Sequence, residues 1–211
     1  KSLLWTMLAN GVLLLLRRQI VTSTPRRICR CFHAASASPA AAGSSAAKVS
    51  IAHGTPYAKE LGLLNYVLDN ATPGDPASVC EAIERFGEDV LGQQRLWLKV
   101  AGGHKAAVLT NAMSRSPKGG SILEIGTYCG YSAIQMSLAL PRVRIVTLEV
   151  DPAHVVIARN VVAFAGLAHL IDVWTGHSKD LIARLPARYA GEGQHLDFRG
   201  VFMDQRGSRY H

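Results

Sequence analysis

The stretch SILEIGTYCGYS, from Ser121 to Ser132, changes periodicity halfway along. It opens on the apolar pair Ile122 and Leu123, reaches an acid at Glu124, and turns through Gly126 and Gly130. It then continues with Ile134, Met136, Leu138 and Leu140. Strand, tight turn, helix is the order this pattern predicts. In an open α/β sheet such a turn lies at the carboxyl end of a strand, where ligands bind. Gly126 carries no Cβ, so a ligand can approach its backbone closely. A dinucleotide fingerprint needs G-x-G-x-x-G. Here the spacing is Glu124-x-Gly126-x-x-x-Gly130, with Cys129 where a second close glycine belongs. That spacing speaks against an NAD-dependent oxidoreductase.

Downstream, strand and helix alternate. Strands are expected over Arg144–Glu149, Leu170–Trp174 and Phe198–Asp204, and helices over Pro152–Ala165 and Ser178–Leu185. Repeated strand and helix predicts an α/β fold, a Rossmann-like parallel sheet with helices on both faces. Trp174 is expected in or near the sheet core. Upstream, Leu61, Leu64, Val67 and Leu68 are read as one helical face. A turn at Thr72–Pro76 precedes a helix over Ala77–Phe86, with Val79, Ile83 and Phe86 inward. Asp75 caps that helix and Pro76 sits in its first turn. Further helices are expected over Gln93–Val100 and Gly103–Met113, and Ser116–Gly120 breaks the chain before the first strand.

Charge is unevenly distributed. Residues 1–59 hold eight basic side chains, among them Arg17, Arg18, Arg26 and Arg27, and no acid. The remaining fifteen basic residues are matched by all fifteen acidic ones, so the pI near 9.6 belongs to the N-terminal segment. It gives no basic face for nucleic acid. Residues 2–16 are mostly apolar and end at a basic flank. They read either as part of an organelle transit peptide or as a membrane anchor, fifteen residues being short for a span of about twenty. Residues 35–50 have the composition of a flexible linker. The domain reading is therefore a targeting or anchor segment with linker over 1–59 and a globular domain over 60–211. That domain divides into N-terminal helices over 60–115 and a partial sheet over 121–211. The cysteines, Cys29, Cys31, Cys80 and Cys129, lack zinc spacing, and the eight histidines form no zincin-type pair.

The motif Glu124-Ile-Gly-Thr-Tyr-Cys-Gly-Tyr-Ser132 resembles the first motif of the catechol O-methyltransferase family. The resemblance extends from about Leu63 to Tyr210, through NYVLDNATPGDPASVCEAIERF, LEVDP, GLAHLIDVWTGHSKD and VFMDQRGSRY. It implies an S-adenosylmethionine-dependent, Mg²⁺-assisted methyl transfer to a hydroxyl of a catechol-type small molecule by a monomer. Lys99, Val100 and Ala101 align with a segment that touches the methionine part of that cofactor. Glu124, Tyr128 and Ser132 surround the cofactor-binding turn at Gly126, with Tyr128 and Ser132 placed to contact the cofactor's carboxylate and Glu124 either fixing the turn through backbone N–H groups or reaching the cofactor's amino-acid end. Glu149, followed by Val150, ends a strand roughly twenty residues after the turn and is placed for the ribose hydroxyls. His177, Ser178 and Lys179 lie beside the adenine, although Lys179 replaces a family glutamine. Ser178 also suits a helix N-cap. Asp204 matches a magnesium-binding aspartate.

The chain departs from the family at Arg206 and Gly207. Gly207 occupies the position of the general-base lysine and cannot take a proton, and Arg206, which stays protonated, replaces a tryptophan of the substrate wall. No catalytic base is therefore assigned. The expectation is a chain truncated after the fourth strand, inactive as it stands. A non-catalytic relative that keeps the fold and binds cofactor or a membrane partner is the alternative.

Overall fold

The computed structural model describes residues 12–13, 54–191, 193 and 196–205. Strand β1 is the pair Val12–Leu13, drawn from the N-terminal apolar run. Helices α1 (Ala58–Asn70), α2 (Pro76–Arg85) and α3 (His104–Ser114) precede β2 (Ser121–Ile125). Then follow α4 (Tyr131–Ala139), β3 (Ile145–Glu149), α5 (Pro152–Phe164), β4 (Ile171–Thr175), α6 (Ser178–Leu181), α7 (Leu185–Gly191) and β5 (Phe198–Met203).

The sheet order is β1-β5-β2-β3-β4. Strands β2 to β5 are parallel, and β1 runs antiparallel on the edge beside Val201 and Phe202 of β5. The segment 1–59 is expected to lie outside the fold. Instead Val12 and Leu13 join the sheet, and α1 begins at Ala58. From β2 the chain steps outward to β3 and β4, then returns to the other flank of β2 as β5. The order therefore reverses at β2, and a crevice opens there beyond the strand ends. In-register pairs such as Ile125↔Leu148 and Ile125↔Met203 bring those ends level.

Side chains alternate across the sheet with period two. Ile122, Ile145 and Ile171 face the core shared with α1 to α5, while Leu123, Ile125, Val146 and Leu148 face α6 and α7. Glu124 lies on the α4 face and is wholly buried. Its carboxylate accepts from the Ser132 hydroxyl of α4, and from the Thr147 hydroxyl of β3 at 2.5 Å. Since Thr147 donates to Glu124, the Thr127 hydroxyl 2.6 Å away donates to Thr147. One carboxylate thus joins two strands, the turn and a helix. Among the described residues its recorded partners are these hydroxyls and not backbone N–H groups, which departs from the first of the two roles expected of it. Burial pushes its carboxyl up to about 7, against the two hydroxyls that lower it, with the carboxylates of Asp204 and Glu149 adding to the rise.

Asp75 caps α2 as expected, its Oδ1 accepting from the N–H groups of Ala77 and Ser78. Val79, Ile83 and Phe86 are fully buried. The buried face of α1 is Glu60, Leu63 and Val67, whereas Leu61 and Leu68 are about half exposed. The reading of that face was one residue out of phase. The helix expected over Gln93–Val100 does not form. A π-helical turn, Phe86–Leu91, continues α2, a short 3₁₀ turn covers Gly92–Gln94, and Arg95 adopts a left-handed conformation with φ 55°. Beyond it Leu96, Leu98 and Val100 are partly buried while Trp97 and Lys99 are exposed. That alternation is an extended-chain period, overlooked in favour of a helical one. The helix expected over Ser178–Leu185 ends at Leu181, and a second one begins at Leu185 with Pro186 in its first turn, where a residue without an N–H is tolerated.

Phe86 leans on the Tyr66 ring, 5.4 Å between centroids. Phe86→Ala is expected to destabilise the protein by about 3–5 kcal/mol, read from the urea midpoint, and a loss below about 1 kcal/mol would contradict its place in the core. Glu124 favours its protonated form in the fold. Its contribution to stability is complete below the unfolded carboxyl value of 4.5 and is lost as pH rises to about 7. Glu124→Gln should flatten the stability–pH curve across that interval by about 3 kcal/mol. An unchanged slope in denaturant melts of the variant would refute the assignment.

Candidate functional site

A cavity of about 580 Å³ opens where β2, β3, β4 and β5 end. It is built from one residue group per strand end. Gly126 follows β2, Glu149 and Val150 close β3, Gly176 follows β4, and Asp204 follows β5. Backbone bonds hold these ends together: Gly126 N–H donates to Leu148 O, Gly176 N–H to Glu149 O and Asp204 N–H to Ile125 O, all between 2.8 and 2.9 Å. At Gly126, with φ 103°, a Cβ would stand 2.7 Å from the carbonyl oxygen of Asp204. Glycine is required there by the neighbouring strand end as well as by any ligand.

The turn and the β3 acid form one unit. Tyr128 takes φ 51°, a left-handed conformation. Its N–H donates to Glu149 Oε2 at 2.8 Å, and the Asp151 N–H donates to Oε1 at 2.9 Å. Each carboxylate oxygen keeps a lone pair for a further donor. Burial raises the cost of charging Glu149, but His154 and the two N–H groups outweigh it and hold the carboxyl below the ordinary carboxylate range. Glu149 is therefore an ionised acid with spare acceptor capacity at the cavity wall.

Of the other residues singled out in the sequence, Lys99, Val150, His177 and Ser178 line this cavity. Val100, Ala101 and Ser132 line a contiguous recess of about 30 Å³, which also reaches Lys99, Gly126, Tyr128 and Asp204. Glu124 lines neither space. It lies beneath the turn, and the Ser132 hydroxyl is turned toward it. Lys179 lines neither space either. The N-cap of α6 is His177, whose Nδ1 accepts from the Lys179 N–H at 3.4 Å, so Ser178 is the first helical residue and not the cap. Tyr131 also borders the recess, its hydroxyl donating to Glu84. Trp174 is partly buried beside Tyr189 in the second core cluster. Burial raises the Asp204 carboxyl above its ordinary value, against the pull of Lys105. Arg206 and Gly207 lie outside the described residues.

Several cavity residues had no role in the sequence reading. Tyr57, Lys59 and Glu60 come from the start of α1, and Asp151 and His154 from the start of α5. Glu60 accepts from the Tyr128 hydroxyl at 2.6 Å, and Tyr57 donates to Asp151 Oδ2 at 2.8 Å. The run Asp151-Pro152 signals a helix start just after Glu149, so His154 was findable as a first-turn residue beside that acid. Nothing local placed α1 over the site.

Among the described residues, no group of three metal-ligating side chains occurs, and no helix is long and apolar enough to cross a membrane. Apart from Val12 and Leu13, residues 2–16 lie outside the described residues.

A family profile described as O-methyltransferase matches residues 104–211. The chain is 36% identical over 153 residues to catechol O-methyltransferase of Mus musculus, covering 72% of this chain and 54% of that protein. It is 37% identical over 150 residues to catechol O-methyltransferase B of Danio rerio, covering 70% and 53%. The chain thus spans about half the length of the curated relatives it matches. The solved O-methyltransferase from Bacillus cereus, in complex with SAH, is 28% identical, covers 66% of this chain and 59% of its own, and superposes with a TM-score of 0.44. With the glycine turn, the ionised acid at the end of β3 and the reversal of strand order at β2 in place, the profile match over half of its length means that this chain belongs to the O-methyltransferase family.

Proposed function

We propose that the protein binds S-adenosylmethionine and transfers its methyl group to a hydroxyl of a catechol-type small molecule. The observation that carries this reading is Glu149, an ionised carboxylate with free lone pairs at the wall of a cavity of about 580 Å³. A vicinal diol such as a ribose donates two hydrogen bonds to such an acid. The catechol substrate is suggested by the relatives' names.

The residues fit the cofactor in three parts. Glu149 takes the ribose hydroxyls. His177 and Ser178, after β4, bound the place of the adenine. The recess beside Val100, Ala101 and the first turn of α4 takes the amino-acid end, where a helix start offers N–H groups to a carboxylate. Tyr128 closes the space between the two, held by Glu149 through its N–H and by Glu60 through its hydroxyl. When bound, the cofactor supplies a methyl group on a sulfonium centre. The chain's contribution is to hold the acceptor hydroxyl in line with it and to exclude water, so that proximity lowers the barrier.

Asp204 is exposed at the cavity and offers one carboxylate, but the described residues do not complete a metal site. Mg²⁺ is commonly held by one or two carboxylates and several waters, so the role of Asp204 as a ligand is open to a direct test. Asp204→Ala is expected to abolish the Mg²⁺ dependence of methyl transfer to catechol, and a variant that still responds to added Mg²⁺ excludes Asp204 from that role.

Calorimetry with S-adenosylhomocysteine tests the main reading. Glu149→Gln should weaken binding by about a hundredfold, as expected for lost hydrogen bonds to a charged group, with circular dichroism unchanged. Equal affinities would refute the ribose assignment, and NAD binding in place of S-adenosylhomocysteine would return the oxidoreductase reading. Gly207, at the family's base position, favours one other outcome. Tight cofactor binding with no methylated catechol would identify a binding-only relative.

A further inference from the structure

The imidazole of His154 is the cavity's least explained group. It sits in the first turn of α5 with its Nδ1 3.9 Å from Glu149 Oε1, longer than a hydrogen bond but within ion-pair range. Two aromatic rings hold it edge-on. Tyr57 stands 5.6 Å away at 87°, and Tyr128 stands 5.0 Å away at 85°. Its side chain is only 21% exposed. A ring clamped this way has few alternative rotamers, so its distance to Glu149 is set by the fold and not by the flexibility of a surface pair.

The charged groups around it come from several elements. Glu149 ends β3, Asp151 opens α5, and Lys59 and Glu60 belong to α1. Lys59 is engaged elsewhere, with Glu60 at 3.5 Å and over the Tyr128 ring at 5.8 Å. Asp151 is engaged by Tyr57 and by the Ala153 N–H, and Glu60 by Tyr128. Glu149 has two N–H partners and must stay ionised and oriented while a ligand removes water from it. Desolvating a carboxylate is costly unless a cation stands near. Among the described residues His154, when protonated, is the cation in ion-pair range of it.

We infer that His154 is a positioning residue for Glu149, and that its imidazolium strengthens nucleoside binding below neutral pH and relinquishes that gain as it deprotonates. The inference rests on the proposed role of Glu149. Glu149, Asp151 and Glu60 raise the imidazole above its usual range, against burial, while His154 helps to hold Glu149 low. The direction follows. Affinity is highest where the carboxylate is ionised and the imidazole protonated, and it falls as pH rises through the raised imidazole value.

Adenosine is a suitable probe because it carries neither the sulfonium nor the α-amino group of the cofactor, so the ligand does not titrate in this interval. Calorimetry on the whole protein should show adenosine binding weaken about three- to tenfold between about pH 6 and about pH 8.5, the size expected of a partly exposed charge pair near 4 Å. His154→Gln should bind at the weaker level throughout, with no slope. His177 also faces the cavity, and a slope that survives in His154→Gln would assign the titration to it and overturn the inference. Proton NMR gives a readout that needs no ligand. The imidazole of His154 should titrate above 6.5 and shift down in Glu149→Gln, and an unmoved value would equally overturn it. Failure of adenosine to bind at any pH, with the NMR coupling intact, would instead strike at the role of Glu149 in nucleoside binding, and this inference would fall with it.

Discussion

A single buried carboxylate couples the parts of this fold that matter for its site. Glu124 lies inside the α4 face of the sheet and takes hydrogen bonds from Thr147 on β3 and Ser132 on α4, with Thr127 behind Thr147. An acid in a core is costly unless its lone pairs are used. Here the partners come from three different segments, so the acid is satisfied only when strand register, turn and helix are all in place. That makes it a specifying interaction more than a stabilising one. The glycine turn is then shaped from below, and its upper side is left free for the cavity.

The same logic carries upward to Glu149. Its neighbours on β3 face alternate sides, and Glu149 shares the face of Thr147, two residues before it, and of Glu124, which pairs with Thr147 on β2. The turn residue Tyr128 gives it an N–H, and the start of α5 gives it another. Burial raises Glu124 and would raise Glu149 too, but these N–H groups and His154 reverse the sign at the second acid. Two glutamates from adjacent strands are therefore shifted in opposite directions, one upward beneath the turn and one downward at the cavity wall. Their hydrogen-bond partners decide this, hydroxyls in one case and backbone N–H groups with an imidazole in the other.

Much of the site was legible before any coordinates. Gly126 and Glu149 were identified from a turn and a strand-end acid, and both line the cavity. Asp75 was read as a cap and is one. Errors fell where two local patterns competed. The segment after Leu91 alternates with period two, yet its composition also suits a helix, and contact of Leu96 and Leu98 with the core decided for the extended chain. In α6, His177 and Ser178 are both polar residues at a helix start, and the chain's turn selected the first as the cap. The face of α1 differs because Glu60 is an acid that buries beside its bond to Tyr128, 68 residues away.

The amino-acid sequence by itself determined the order of strands and helices, the turn at Gly126 and the end of the sheet that carries the site. These depend on neighbours in the chain, through backbone dihedrals, caps and side-chain periodicity. Only the tertiary structure decided that β5 returns beside β2, that Val12 and Leu13 join the edge, and that the start of α1 brings Tyr57 and Glu60 over the cavity. It also decided that His154 stands beside Glu149 between two tyrosine rings. The reason is physical. Each of these facts is a meeting of residues far apart in the chain, and which distant surfaces meet is settled by the burial of whole faces against one another, a property no local stretch contains.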